Sequence, residues 1–132
     1  MKLTPYLAAA ISVVAVSNAV AGQEECDPNA WDTYGMAVCA EARTKLIDDR
    51  LDQLYADLMQ RLKLERNRER LKASQEAWIS FVEKDCLYAK GTRDEGGSLW
   101  PLSIQECKNS QKKKRIQDLE GFMACTENGC PE

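Results

Sequence analysis

Six cysteines, at positions 26, 39, 86, 107, 125 and 130 of a 132-residue chain, constrain this sequence more than any other feature. An even cysteine count in a short exported chain reads as a disulfide framework. A metal site would need ligands at metal spacing, and the chain has no histidine and no Cys-x-x-Cys pair. The lack of histidine also removes the commonest general base and the usual partner of a nucleophilic Ser or Cys. Cys26, Cys39, Cys86, Cys107, Cys125 and Cys130 are therefore expected to be structural, with no metal, no cofactor and no catalytic set.

The first residues carry the export that such a framework requires. Lys2 supplies a positive end, Leu7 to Val16 is almost unbroken apolar sequence, and Ala19-Val20-Ala21 has the small-x-small form of a cleavage site. Residues 1–21 are expected to be a signal peptide cut after Ala21, with residues 22–132 a single domain ending in a short cysteine-containing tail. The apolar run is too short to span a bilayer and no second run near twenty residues follows it, so no stable membrane insertion is expected after cleavage. Gln23, Glu24 and Glu25 precede Cys26 where a lipoprotein signal would place small residues. The expected location is the periplasm or the medium.

A mature domain of about 110 residues has a core of modest stability, which covalent bridges supplement. The whole chain has a formal charge of −3, and loss of Lys2 with the leader makes the mature part slightly more acidic. That balance argues against nucleic acid as a partner. The one basic run, Lys112 to Arg115, spreads around a helix axis and reads as a solvated face.

Asp27 and Pro28 suit the start of a helix, and from about Ala30 to Leu64 there is no proline and only Gly35. Within it Ile47, Leu51, Leu54, Leu58 and Leu62 recur at steps of three and four, the pattern of one buried stripe. Glu65 to Arg70 is wholly polar, either a turn near Asn67, which is preferred, or exposed helix that continues. A second helix is expected from about Glu69 to Tyr88, with Leu71, Gln75, Trp78, Val82 and Cys86 on one side and Phe81 beside them. Gly91 to Ser98 has three glycines and no apolar side chain and reads as the clearest loop. Ser98 or a neighbour and Pro101 open a third helix bearing Leu102, Cys107, Ile116, Leu119 and Met123, unusually polar in its middle turns and fading near Gly121 or soon after. Asn128-Gly129 marks a turn between the last two cysteines. The expected class is all-α: a disulfide-stabilised antiparallel three-helix bundle with a long first helix.

Six cysteines allow 15 pairings. The preferred set, Cys26 with Cys39, Cys86 with Cys107 and Cys125 with Cys130, links neighbours across plausible turns.

Gln75-Glu76-Ala77-Trp78-Ile79-Ser80-Phe81, then Cys86, Gly96-Gly97-Ser98-Leu99-Trp100-Pro101 and Cys107, resemble the lysozyme inhibitor LprI N-terminal family. Cys26-Asp27, Met36, Cys39-Ala40, Asp48, Leu51, Tyr55, Arg115 and Leu119 fall at similar spacings. The chain departs from the family at Val82-Glu83, where Arg-Asp is usual, at Asp52 in place of Asn, and at Gln111-Lys112 in place of a more apolar pair. The resemblance implies an exported helical protein whose relatives include inhibitors of lysozyme.

Trp78 and Phe81 are expected in the core, Gln75 on backbone at a helix end, and Tyr55 and Asp48 in a polar cluster inside the bundle. The segment Asp94, Glu95, Gly96, Gly97, Ser98 and Trp100 is the candidate partner-binding loop: glycine permits unusual backbone angles, Asp94 and Glu95 supply charge, and Trp100 would anchor. Its plainer use is a connector that sets Cys107 beside Cys86. Two functions follow. The first is an exported binding protein that occludes a lysozyme or related muramidase, whose basic surface an acidic domain would attract. The second is an envelope structural or assembly factor that binds another exported protein through Tyr55 or Met59 of the long helix. A pair of carboxylates such as Asp48 and Asp52, one turn apart, has the residue types for acid and base work on a glycan, but such pairs are commonplace on solvated helices and no nucleophile or metal set accompanies them.

Overall fold

The computed structural model describes residues 26–127 and 129–131. The expected signal peptide, residues 1–21, and Asn128 of the expected tail turn lie outside the described residues. Among the described residues the chain is helical with no strand: α1 is Thr33–Arg61, α2 Glu65–Lys90, α3 Arg93–Gly96, a 3₁₀ turn Gly97–Leu99, and α4 Trp100–Ala124.

The first helix starts later than Ala30 because Asp27 closes a turn of its own. Its carboxylate accepts the Asn29 N–H at 2.9 Å and its carbonyl accepts the Ala30 N–H at 3.1 Å. Asp32 is the cap instead, its Oδ1 accepting the Gly35 N–H at 2.9 Å and so satisfying a free helix-end donor. The stripe read from the sequence is the core: Leu51, Leu54, Leu58 and Leu62 bury with Leu71 and Leu119, and Tyr55, Met59, Trp78, Ile116 and Met123 pack against them. Each fully buried leucine contributes about 1.5–3 kcal/mol. Tyr55 and Met59 are thus partly buried against the core, not the exposed contacts expected of an assembly factor.

The break between the first two long helices falls at residues 62–64, not near Asn67. Leu62 and Leu64 are both extended, at φ −68°, ψ 119° and φ −90°, ψ 125°. Leu62, only 2% exposed, pins the turn to the core from one side and Leu71 from the other. The polar run then forms the first turns of α2, because Glu65 complements the helix N-terminus and pairs with Arg68 at 2.8 Å. Phe81 also departs from expectation and is 52% exposed; the neighbouring Val82, 5% exposed, takes the inward direction.

The last long helix packs along both others. Its links to α1 advance together along the two segments: Asn109 Nδ2 donates to Thr44 Oγ1 at 2.8 Å, Lys112 pairs with Asp48 at 2.6 Å, and Arg61 donates to the carbonyls of Met123 and Cys125. Its links to α2 run in reverse order: the Cys86–Cys107 bridge, Lys108 with Glu83 at 2.7 Å, and Arg115 Nε donating to Gln75 Oε1 at 3.0 Å. Disulfides also join Cys26 to Cys39 and Cys125 to Cys130.

These contacts explain the polar middle of α4. Asn109 and Arg115 are buried, and every buried side-chain nitrogen or oxygen among the described residues has a hydrogen-bond partner. Gln75 therefore serves Arg115, not helix-end backbone. Arg115 also donates to Ser74 Oγ at 3.1 Å and lies 5.9 Å over the Trp78 ring; burial lowers its pKa, and Asp118 opposes that. Replacing Arg115 by alanine should cost about 1.5–3 kcal/mol, the scale for hydrogen bonds to a charged group. Methionine, which keeps the volume, should cost less. Urea unfolding midpoints of the two variants check the order.

Candidate functional site

The segment that joins α2 to α4 is built more firmly than its glycines suggest. Gly91 ends α2 at φ 68°, a conformation costly for residues with a Cβ, while its N–H still bonds the Leu87 carbonyl at 2.8 Å. Glu95 then reaches back: Oε2 accepts the Thr92 N–H at 2.6 Å and the Thr92 hydroxyl at 3.0 Å. Gly96 lets the Trp100 ring lie against the backbone, since a Cβ there would sit 2.5 Å from Trp100 Cδ1. The Trp100 indole N–H closes the loop by donating to the Gly91 carbonyl at 2.9 Å. Beneath it the Cys86–Cys107 bridge holds the two helices with Cα atoms 5.8 Å apart.

The six residues singled out in the sequence thus divide by role. Glu95, Gly96 and Trp100 brace the loop, and Gly97 turns it at φ 61°. Trp100 is half-buried with its N–H already bonded, so it is a brace where the sequence suggested an anchor. Asp94 and Ser98 face solvent, and Asp94 makes no ion pair among the described residues.

Two exposed side chains beside this loop were missed. Leu99 is 56% exposed and Tyr88 is 91% exposed, one turn before Gly91. The signal was present for Tyr88: two residues past Cys86, it lies about 200° around the helix from that buried position, off the stripe. The same end of the molecule carries Trp31, 90% exposed, on the strap that the Cys26–Cys39 bridge folds along α1. A cleft of about 460 Å³ lies between this strap, α1 and the start of α4, lined by Pro28, Met36, Ala40, Arg43 and Leu102 among others.

All six cysteines are in disulfides, and no group of three or more metal-ligating side chains occurs among the described residues. The Asp48 carboxylate is engaged by Lys112, which separates its role from that of solvent-facing Asp52. No helix among the described residues is long and apolar enough to cross a membrane.

The Thr92 backbone N–H, and then its hydroxyl, hold the Glu95 carboxyl below its ordinary value of 4.5. A depressed carboxylate value means that its contribution to order is present above the ordinary value and is lost as pH falls through the depressed one. Acidification through that range should loosen the loop before the helices. Hydrogen exchange at the Trp100 indole N–H, faster in acid than the intrinsic rate predicts, is the expected signature, and Glu95→Gln should show the faster exchange at neutral pH.

Fold and site together define a small disulfide-bonded helical protein that presents a braced loop at one end. The family model described as lysozyme inhibitor LprI matches residues 26–119, most of the chain, and the chain belongs to that family. No curated protein and no solved structure matches it.

Proposed function

We propose that the chain is exported by residues 1–21 to the periplasm or beyond, where residues 22–132 act as a non-catalytic inhibitor that binds a lysozyme or related muramidase and covers its glycan cleft. Family membership across residues 26–119 carries this reading. Three disulfides fit an oxidising compartment. The order of contacts along α1, α2 and α4 supports an antiparallel three-helix bundle as the rigid body.

In this reading the braced end is the interface. Asp94, Glu95, Gly96, Gly97, Ser98 and Trp100 form the contact loop, with Asp94 and Ser98 turned to the partner and the others fixing the backbone. Leu99 and Tyr88 supply apolar contact of the kind that dominates interface energies. Pre-forming the loop lowers the ordering cost of association. The formal charge of −3 favours encounter with a basic enzyme, so inhibition weakens as salt rises. No cofactor, metal, nucleic acid or membrane takes part.

The test is inhibition of cell-wall lysis by the oxidised domain and its variants. Tyr88→Ala combined with Leu99→Asp should raise the inhibitor concentration needed at least tenfold, and Asp94→Lys should lower the salt sensitivity. Unchanged inhibition by both variants would place the contact elsewhere.

A further inference from the structure

At the opposite end of the molecule, the last turn of α1, the first turns of α2 and the end of α4 enclose a second cleft of about 450 Å³. Leu58, Leu62, Leu71, Phe122 and Pro131 give it an apolar lining, and Arg66 and Arg70 stand at its edge. The two arginines are one turn apart on α2, so their guanidinium groups can converge on one ligand. Neither makes an ion pair among the described residues; Arg68 takes the nearby Glu65, and Arg70 reaches only Asn67 Oδ1, at 3.4 Å. Ser74, also in the lining, is held by Arg115, a third cation without a salt bridge among the described residues. From Lys63 to Lys72 five basic residues face two acidic ones. In a chain whose formal charge is −3, this is a local reversal of sign beside an apolar cleft.

We infer that this cleft binds a single-chain lipid anion, a long-chain fatty acid. Its carboxylate would lie between Arg66 and Arg70, because guanidinium pairs carboxylate through two parallel hydrogen bonds. Its chain would lie over the exposed faces of Phe122 and Pro131, with Leu58 and Leu71 as the floor of the cleft, and burial of that open apolar surface supplies the affinity. A volume near 450 Å³ lies in the range of small-molecule sites. The tail that the Cys125–Cys130 bridge folds back contributes Pro131 as one wall. The site is distant from the braced loop, so it stands or falls independently of lysozyme binding.

Calorimetric titration of the oxidised full domain with oleate, kept below its micellar concentration, is the direct test, with oleyl alcohol and a peptide ending in a free leucine carboxylate as comparisons. The expected result is saturable 1:1 binding of oleate, at least tenfold weaker binding of the alcohol, and at least tenfold weaker binding of oleate by Arg66→Gln/Arg70→Gln. Those arginines are exposed, so the double variant should fold; unchanged circular dichroism verifies it. Phe122→Ala should weaken oleate and alcohol alike. Oleate binding that is absent, non-saturable, unchanged in the double variant or matched by the alcohol would overturn the inference, as would tighter binding of the peptide than of oleate.

Discussion

Replacing Cys86 and Cys107 together by alanine should lower the unfolding free energy by about 3 kcal/mol and, under the proposed function, abolish inhibition through the loop. The bridge spans 21 residues in sequence, and closing a loop of that order removes about 3 kcal/mol of denatured-state freedom in the chain-entropy account. Against the roughly 5–15 kcal/mol that holds a typical domain together, this is a large share. Cys86 is also completely buried, so alanine leaves a small void in addition. The local consequence matters more for function: the bridge lies directly under the segment closed by Glu95 and Trp100, and without it the ends of that segment are held by α2–α4 packing alone. Chemical denaturation gives the first quantity and inhibition of wall lysis the second. A double variant as stable as the parent would show that helix packing already fixes this end.

Leu119→Ala should be the most damaging single substitution in the core, at about 2–5 kcal/mol. Leu119 is 0% exposed and belongs to the leucine cluster where all three long helices meet. Truncation removes transfer energy and leaves a cavity whose size depends on how far the neighbours collapse. Its surroundings resist collapse: Leu58 and Leu62 belong to the same cluster and are fixed where α1 ends, and Arg115, one turn earlier on α4, is held by Gln75 and Ser74. Collapse is therefore limited and the cost falls in the upper part of the range. The midpoint of urea unfolding should drop with little change in slope, because the surface exposed on unfolding is nearly the same.

The parts of this fold that sequence exposed were those set by period and covalent logic. Leu51, Leu54, Leu58 and Leu62 formed a stripe because a helix repeats every 3.6 residues. The all-α class followed from such stripes, and bridges between sequence neighbours are what short turns permit. Boundaries were less legible. The turn at residues 62–64 contains no glycine or proline; it exists because leucines on both sides of it are drawn into one core, a tertiary cause with no local mark. Conversely, the glycine-rich segment after α2 looked loose and is stiff, because Glu95 and Trp100 bond back to Thr92 and Gly91. Such contacts depend on where side chains point in space. The same holds for Gln75, whose partner Arg115 is 40 residues away.

At the candidate site, the glycines and charges were visible and their division of labour was not. Trp100 carries the largest side chain of the loop, which made it an obvious anchor, yet its indole N–H is committed to the Gly91 carbonyl. The position of Tyr88 two residues past Cys86 marked it as lying off the buried stripe, whereas Leu99 has no pattern that sets it apart from ordinary surface residues.

The most direct measurement is a titration of purified lysozymes with the oxidised domain, reading cell-wall lysis at low and at raised ionic strength. The account predicts saturable inhibition near one domain per enzyme molecule, weakened by salt. Lysis that proceeds unchanged at low salt, with no complex detected for any lysozyme, would contradict it.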